Sequence, residues 1–475
     1  MILKTIKVLR NNWKKSVFFS CVAVYGVNYG YNKLIEHNKM RAYCEEALRF
    51  GNQYIRPDQN CRHLTVILNP MANKRKSKQN YDKYCAPLLH LAGIRVSVVV
   101  TEEEGQARDL MEIMDNTDAV LIAGGNGTVH EVVTGLLRRT DGRPGVHQYP
   151  IGILPVGRRN TIAVNVNGVR DKHLKPYELL AECTLSAIRE VLKPVDVMRI
   201  EGTKGRPVFA LEEFNCGRLR DTLSVADGYW YLGAYLKPYL AFAFNTLRRL
   251  TAVEGVSISY SNPCDGCSKC YQRYEREAPG GVGLAEGPTR WWHVFMPRKG
   301  ADTRGPTQPK RDLKAIHNSE CGQWSTLAET GADNVLIQNT NESKLKLIIH
   351  SQPSAHRQFI NDGVKLFNSE PLAVEGMSPC VQLIEAMDIN IDLAEDKSGG
   401  NDGNDDQTVV DQTMDQTVDA EAVEVVGGDA TSDGDKIEAV DNSATNSWFS
   451  IDTESYERQS VKITLMPKVL NMYAL

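Results

Sequence analysis

Hydrophobic positions follow two regimes along this chain. From His63 to Lys193, short apolar runs alternate with stretches of helical spacing. LTVILNP, IRVSVVVT, AVLIAGG and IGILPVG read as strands that end in turns, while NYDKYCAPLLHLA, GQARDLMEIM and VHEVVTGLL place apolar residues three and four apart. Strands joined through helices predict a parallel sheet with right-handed crossovers, whose ligands gather outside the carboxyl ends of the strands. From Val195 the helical period fades. VDVMRIEG, PVFALEEFN, VSISYS, WWHVFMP, KLKLIIHS and VKITLMP alternate or run apolar in short pieces, as antiparallel strands do. The expected fold class is therefore α/β plus β. A doubly wound parallel-sheet domain spans 61–193, and a β-sandwich-like domain spans 194–391 and 443–475.

Two segments fall outside this pattern. Between Asp392 and Asp441 there are 16 acidic residues and two lysines, a net of −14, so a total of −4 leaves +10 on the rest. Lacking aromatics and repeating DQT, residues 392–442 read as a disordered acidic insertion. The basic remainder suits anionic partners such as a nucleotide or a phospholipid surface. At the other end, residues 1–60 carry Lys4, Lys7, Arg10, Lys14 and Lys15 with no acid before Glu36, followed by the apolar run Val17–Tyr31. That run is short for a membrane span, which needs about 20 apolar residues. A mitochondrial targeting segment or anchor, a secretory signal and an amphipathic helix all remain open.

The chemistry concentrates after Ala119–Ala123. Gly124, Gly125, Asn126, Gly127 and Thr128 form a glycine-rich turn that leads into a helix. Glycines let backbone approach a phosphate, and the helix N-terminus offers N–H groups and a positive dipole end. Two further turns sit at strand ends: Asn69-Pro70, trailed by the cations Lys74, Arg75, Lys76 and Lys78, and PVGRRNT with Gly157 and Asn160. Near the C-terminus, Asp452 and Glu454 stand two apart, a spacing that aims both carboxylates to one face if they share a strand. Cys264, Cys267 and Cys270 have the two-residue gaps of a metal knuckle. A zinc site would need a fourth ligand, with Cys321, Cys216 and His293 as candidates, and a loop of free thiols is the competing reading. The aromatic stretch DGYWYLGAYLKPYLAFAF, with Tyr229 and Trp230, suits either a membrane interface or ordinary packing.

GGNGTVHEVVTGLL resembles the GGDGT block of the lipid kinase superfamily of diacylglycerol, sphingosine and ceramide kinases. The segments EALRFGNQYIRP, VVTGLLRRTD, DGYWYLG and FSIDTESYERQSVKITLMP narrow the likeness to the mitochondrial acylglycerol kinases. It covers most of 1–260 and 445–475 and fails over much of 261–444. The resemblance implies an ATP- and Mg²⁺-dependent kinase with an active cleft between its two domains. Its acylglycerol substrate would become lysophosphatidic or phosphatidic acid. It also implies attachment to the mitochondrial inner membrane, facing the intermembrane space, and a separable role beside carrier translocase subunits. By the same resemblance, Asn69, Pro70, Arg75, Thr101, Gly124, Gly125, Gly127, Thr128, Gly157 and Asn160 contact the nucleotide. Asp452 and Glu454 match the DGE block near the metal, and Asp221 lies where relatives meet the lipid headgroup. The departures are Met71, Ala72 and Asn73 in place of glycine-rich filler, Arg158, Arg159 and Thr161 in the third turn, and Asn126 where the motif has Asp. Asn keeps one carbonyl oxygen but carries no charge and accepts no proton. Hence three readings compete: lipid kinase, weak or non-catalytic membrane protein, and soluble nucleotide kinase of the NAD kinase type.

Overall fold

The computed structural model describes residues 13–54, 61–114, 117–140, 149–168, 174–203, 205–226, 233–247, 256–264, 266–270, 313–327, 334–350, 356–367, 381–393 and 448–475. The acidic segment from 394 onward, WWHVFMP with His293, and the aromatics Tyr229 and Trp230 lie outside them. The chain divides into two compact units.

Unit 1 comprises residues 1–129, 147–193 and 472–475. Its parallel strands are β1 (His63–Leu68), β2 (Arg95–Val100), β3 (Ala119–Gly124) and β4 (Ile151–Pro155), in the order β2-β1-β3-β4. β3 is buried from end to end, which explains its continuous apolar run: helices cover both faces of a parallel sheet. The helices are α1 (Trp13–Gly51), α2 (Ala86–Leu91), α3 (Gln106–Ile113), α4 (Asn126–Thr140), α5 (Thr161–Asn167) and α6 (Pro176–Arg189). The division falls inside α4, whose residues from His130 belong to unit 2. The NYDKYCAPLLHLA helix contains a π turn at Tyr81–Cys85 before α2.

The second half of α1 is docked. Ala47 is fully buried, and Met40, Tyr43, Cys44 and Phe50 pack against the cluster of Leu64, Leu88, Leu89 and Leu180. Glu36 accepts from Lys83 Nζ at 2.6 Å, and Arg189 meets Glu46 at 2.6 Å. Its first half is different: Phe18, Phe19, Val24, Tyr25 and Val27 are each more than 60% exposed. The uncharged run 16–32 is 17 residues, or about 26 Å of helix against a hydrocarbon core of about 30 Å. No helix among the described residues is long and apolar enough to cross a membrane.

Unit 2 comprises residues 130–146 and 194–471. One antiparallel sheet has the order β12 (Val381–Ala386), β11 (Leu345–His350), β10 (Asn334–Asn339), β7 (Glu213–Gly217), β14 (Trp448–Ile451), β15 (Glu454–Glu457). The other joins β16 (Val461–Tyr473), β13 (Asp388–Leu393), β8 (Val256–Ser261) and β9 (Trp324–Leu327), with β5 (Leu192–Gly202) and β6 (Val208–Ala210) attached. Inward residues of both sheets, including Ile200, Phe214, Ile337, Leu347, Ile389, Phe449 and Ile463, form one apolar core, as in a β-sandwich. Three helices, α7 (Arg218–Ala226), α8 (Gly233–Leu247) and α9 (His356–Phe367), share a second cluster of Leu219, Phe242, Phe359 and Val364.

Candidate functional site: a glycine cradle and a carboxylate hairpin

In unit 1 the glycine turn is shorter than its sequence suggests, because Asn126, Gly127 and Thr128 already form the first turn of α4. The glycines are required by packing. A Cβ on Gly124 would lie 2.6 Å from the Thr128 side chain, and one on Gly157 would lie 2.4 Å from Gly125 Cα. Two loops thus touch backbone to backbone, joined by Asn126 N–H to Arg159 O (3.1 Å) and Gly157 N–H to Gly124 O (3.1 Å). Gly125 and Gly127 are half-buried, so the start of α4 stays at the surface. Its first-turn amides precede the i→i−4 ladder, which begins with Val129 N–H to Gly125 O (3.1 Å).

Asn69 extends this lattice: its Nδ2 donates to Thr128 Oγ1 (3.2 Å), and its Oδ1 accepts from Met71 N–H (3.0 Å). Thr101 is buried at the end of β2, its N–H bonded to Leu68 O at 2.9 Å. Asn160 Nδ2 donates to Gly157 O (2.9 Å) and Pro155 O (3.2 Å), closing the third turn on itself. After Pro70 the chain makes a left-handed turn, with φ of 54° at Asn73, 54° at Lys74 and 64° at Arg75. A left-handed conformation costs a non-glycine residue about 1–2 kcal/mol. Here that conformation is held by three residues with side chains, of which only Asn73 belongs to the stretch that replaces the glycine-rich filler. Arg75 opens onto a shallow depression of about 600 Å³ also lined by Lys78, Gln79, Asp82 and Lys83.

Asn126 is turned inward. It is 2% exposed; its Nδ2 donates to Thr161 Oγ1 (2.6 Å), and its Oδ1 caps α5 by accepting from Ile162 N–H (3.4 Å). The Asn side chain therefore joins the first and third turns.

In unit 2 the expected pairing of Asp452 and Glu454 along one strand is corrected. They belong to a β14–β15 hairpin, and Asp452 and Thr453 are its two turn residues, with φ of 47° and 81°. Positive φ at both central positions is the primed turn that matches strand twist. Asp452 is fully buried, and its carboxylate accepts from the backbone N–H groups of Leu211 (2.6 Å), Glu212 (2.8 Å) and Glu213 (3.0 Å). Those bonds split the apolar PVFALEEFN into β6 and β7. Asp452 thus anchors the hairpin, and Glu454, half-buried at the start of β15, is the carboxylate nearer solvent.

The hairpin gathers further groups, among them a histidine that sequence reasoning missed. His130, 2% exposed on α4, shares a 2.6 Å bond between Nε2 and Tyr456 Oη, and its Nδ1 lies 3.7 Å from Asp452 Oδ2. A histidine on an apolar helix face carries no local signal of such a partner. Arg220 donates to Ser455 Oγ (2.7 Å) and to Asp221 Oδ1 (3.0 Å). Burial pushes the Asp221 carboxyl above its ordinary range, although the Arg220 bond and the charges of Arg220 and Arg458 oppose it. On α8, Leu236, Tyr239 and Phe244 are exposed while Phe242 is buried.

The thiols of Cys264, Cys267 and Cys270 are brought together with that of Cys321, all four within 4.8 Å of one another. Cys216 lies instead in the sandwich core.

Residues 63–200 match the diacylglycerol kinase catalytic domain. That match places residues 63–200 among the catalytic domains of the lipid kinase superfamily. It is similar to the mitochondrial acylglycerol kinase of Xenopus laevis, with 41% identity over 264 residues, covering 56% of this chain and 60% of that protein. The mitochondrial acylglycerol kinase of Homo sapiens shares 39% over 262 residues, covering 54% and 60%. Sphingosine kinase 1 of Homo sapiens shares 32% over 201 residues, covering 41% and 49%. The match thus spans about 60% of the acylglycerol kinases' own length. A solved diacylglycerol kinase from Bacillus anthracis str. Sterne aligns over 88% of this chain and 98% of its own at a TM-score of 0.45 and 15% identity.

Proposed function

We propose that this lipid kinase transfers the γ-phosphoryl group of ATP to a hydroxyl of mono- or diacylglycerol, giving lysophosphatidic or phosphatidic acid. The observation that carries the reading is the Gly125–Gly157 apposition beside the N-terminus of α4, a surface fitted to an anionic phosphate chain. Asn69, Pro70, Arg75, Thr101, Gly124, Gly125, Gly127, Thr128, Gly157 and Asn160 are assigned to the nucleotide. Mg²⁺ would supply charge neutralisation on the phosphates. Because the oxygens of Asp452 are occupied by backbone donors, Glu454 is the carboxylate assigned to the metal, with Asp452 positioning it. Asp221 is assigned to the lipid hydroxyl, since a carboxyl kept above its usual range is suited to exchanging a proton. Exposed Leu236, Tyr239 and Phe244 suit contact with acyl chains, and the apolar half of α1 suits a membrane surface. The names of its relatives support a mitochondrial location, and the proposal places the chain at the inner membrane, facing the intermembrane space.

The test is transfer of labelled phosphate from ATP to monoacylglycerol and diacylglycerol in mixed micelles by the purified chain. No transfer to either lipid, from protein that still binds ATP, would overturn the reading.

A second reading has its own observation. Asn126 and Asp452, at the positions where the motifs carry acids, both spend their side chains on internal hydrogen bonds. This favours a weakly active or non-catalytic inner-membrane protein that accompanies carrier translocase subunits. Co-purification with those subunits after Gly125→Ala would support it, and absence of association in mild detergent would remove it.

A further inference from the structure

Four cysteines that the kinase reading leaves unused are arranged around a common centre in unit 2. Cys264, Cys267 and Cys270 follow β8, and Cys321 precedes β9. Their sulfurs all lie within 4.8 Å of one another. Cys270 Sγ is 3.7 Å from Cys267 Sγ and 3.7 Å from Cys264 Sγ. A disulfide needs a separation of about 2.05 Å, and all four are free thiols. A tetrahedron of sulfurs each about 2.3 Å from a central zinc has edges of about 3.8 Å. The Cys270–Cys267 and Cys270–Cys264 separations match that edge, and every other pair lies within 4.8 Å.

The surroundings are built for such a shell. Cys264 is 7% exposed and Cys267 is fully buried. Cys267 N–H donates to Cys270 Sγ (3.2 Å), and Asn318 Nδ2 donates to Cys264 Sγ (3.4 Å). N–H donors of this kind hold thiolates in orientation and disperse their charge. Cys270 N–H closes a tight turn on Cys267 O (3.1 Å), and Gly266 and Gly322 take the positive φ values of 106° and 81° that let the backbone fold around the centre. The two segments also bind each other directly. Ser268 N–H donates to Ile316 O (2.7 Å), and Lys269 Nζ reaches Ser319 O (3.4 Å) and Cys321 O (3.5 Å). Lys269 thereby brings a positive charge to a shell of net charge −2.

From this geometry we infer that Cys264, Cys267, Cys270 and Cys321 bind one Zn²⁺ ion that ties the β8 end to the β9 end of the sheet. Four thiolates favour zinc over magnesium or calcium, which take oxygen ligands. With every position filled by protein, the ion has a structural role and no opening for substrate. Binding displaces the thiol protons and involves no change of oxidation state.

The test is metal analysis of the full chain purified under reducing conditions without added chelator. The expected result is about one zinc per chain, retained on gel filtration, released by a thiol mercurial and replaceable by Co²⁺ with the absorption of a tetrahedral cobalt thiolate. Cys321→Ser should weaken zinc retention about tenfold or more, while Cys61→Ser, at an exposed thiol outside the cluster, should retain the metal. The cobalt spectrum is taken on the unaltered chain, so misfolding of a variant does not remove the test. Folded wild-type protein with no bound metal, with iron in place of zinc, or with these four cysteines paired as disulfides would overturn the proposal.

Discussion

Gly125 and Gly157 meet with no space for a side chain between them: a Cβ on Gly157 would fall 2.4 Å from Gly125 Cα and 2.6 Å from its nitrogen. Both obstacles are backbone, so the clash is relieved only if one loop moves. Gly157→Ala should lower stability by about 2–3 kcal/mol and weaken ATP binding by at least about tenfold, because the cradle opens. Gly26→Ala, where nothing lies within 4 Å of the added carbon, should leave ATP affinity unchanged. Urea denaturation and nucleotide titration check both, and unaltered ATP affinity in Gly157→Ala would remove the cradle's role.

At the hairpin turn, Thr453 holds a φ of 81°, an outlier for a β-branched side chain. Primed turns favour glycine here. Thr453→Gly should therefore raise stability by about 1 kcal/mol or more, and it restores the DGE wording of the superfamily motif. Urea midpoints of the two proteins measure the change. An equal or lower midpoint would mean that the loop relaxes without the substitution.

Asn126 serves as both donor and acceptor between two turns. Asn126→Ala should cost about 1–3 kcal/mol, since the Ile162 N–H loses its acceptor in a buried setting. Asn126→Asp still accepts from Ile162, and the Thr161 hydroxyl can rotate to donate to the new carboxylate. Its stability should stay within about 1 kcal/mol of wild type, with stronger Mg²⁺ dependence of turnover. Thermal melts and a magnesium titration of lipid phosphorylation separate these effects.

Glu36 fastens α1 to the parallel-sheet unit. Burial alone would push its carboxyl up, but bonds from Lys33, Lys83 and Tyr84 outweigh that and hold it at about 2, below its ordinary 4.5. A carboxyl depressed on folding contributes fully above the unfolded value and loses that contribution as pH falls through the folded one. Glu36→Gln should lower stability by about 1 kcal/mol at pH 7. The gap should shrink as pH drops from about 4.5 toward 2. Melting temperatures across that range, for both proteins, follow it.

The strands and helices of unit 1 were readable because a buried parallel strand such as Ala119–Gly124 is apolar throughout and its neighbouring helix keeps a 3.6-residue period. The sandwich was readable from alternation in segments such as Val461–Leu465, where every second residue is buried. The role of Asp452 was hidden because Asp-Thr is an unusual pair for a tight turn, so the stretch read as one strand. Which residue completed the cysteine set was equally hidden. Cys321 lies 51 positions beyond Cys270, and only the pairing of β8 with β9 brings them together. His130 and Tyr456 are farther apart still, and no local pattern forecasts a bond across 326 positions.

The docking of α1 has a mechanical consequence. Its second half is fixed to the sheet unit by packed side chains and ion pairs, and the helix continues unbroken into the exposed stretch around Phe18 and Tyr25. Whatever grips that stretch holds the parallel-sheet unit by a stiff handle and not by a slack tether. It would fix the direction the unit faces as well as its distance, so a helix breaker near residue 35 should loosen orientation while leaving attachment intact.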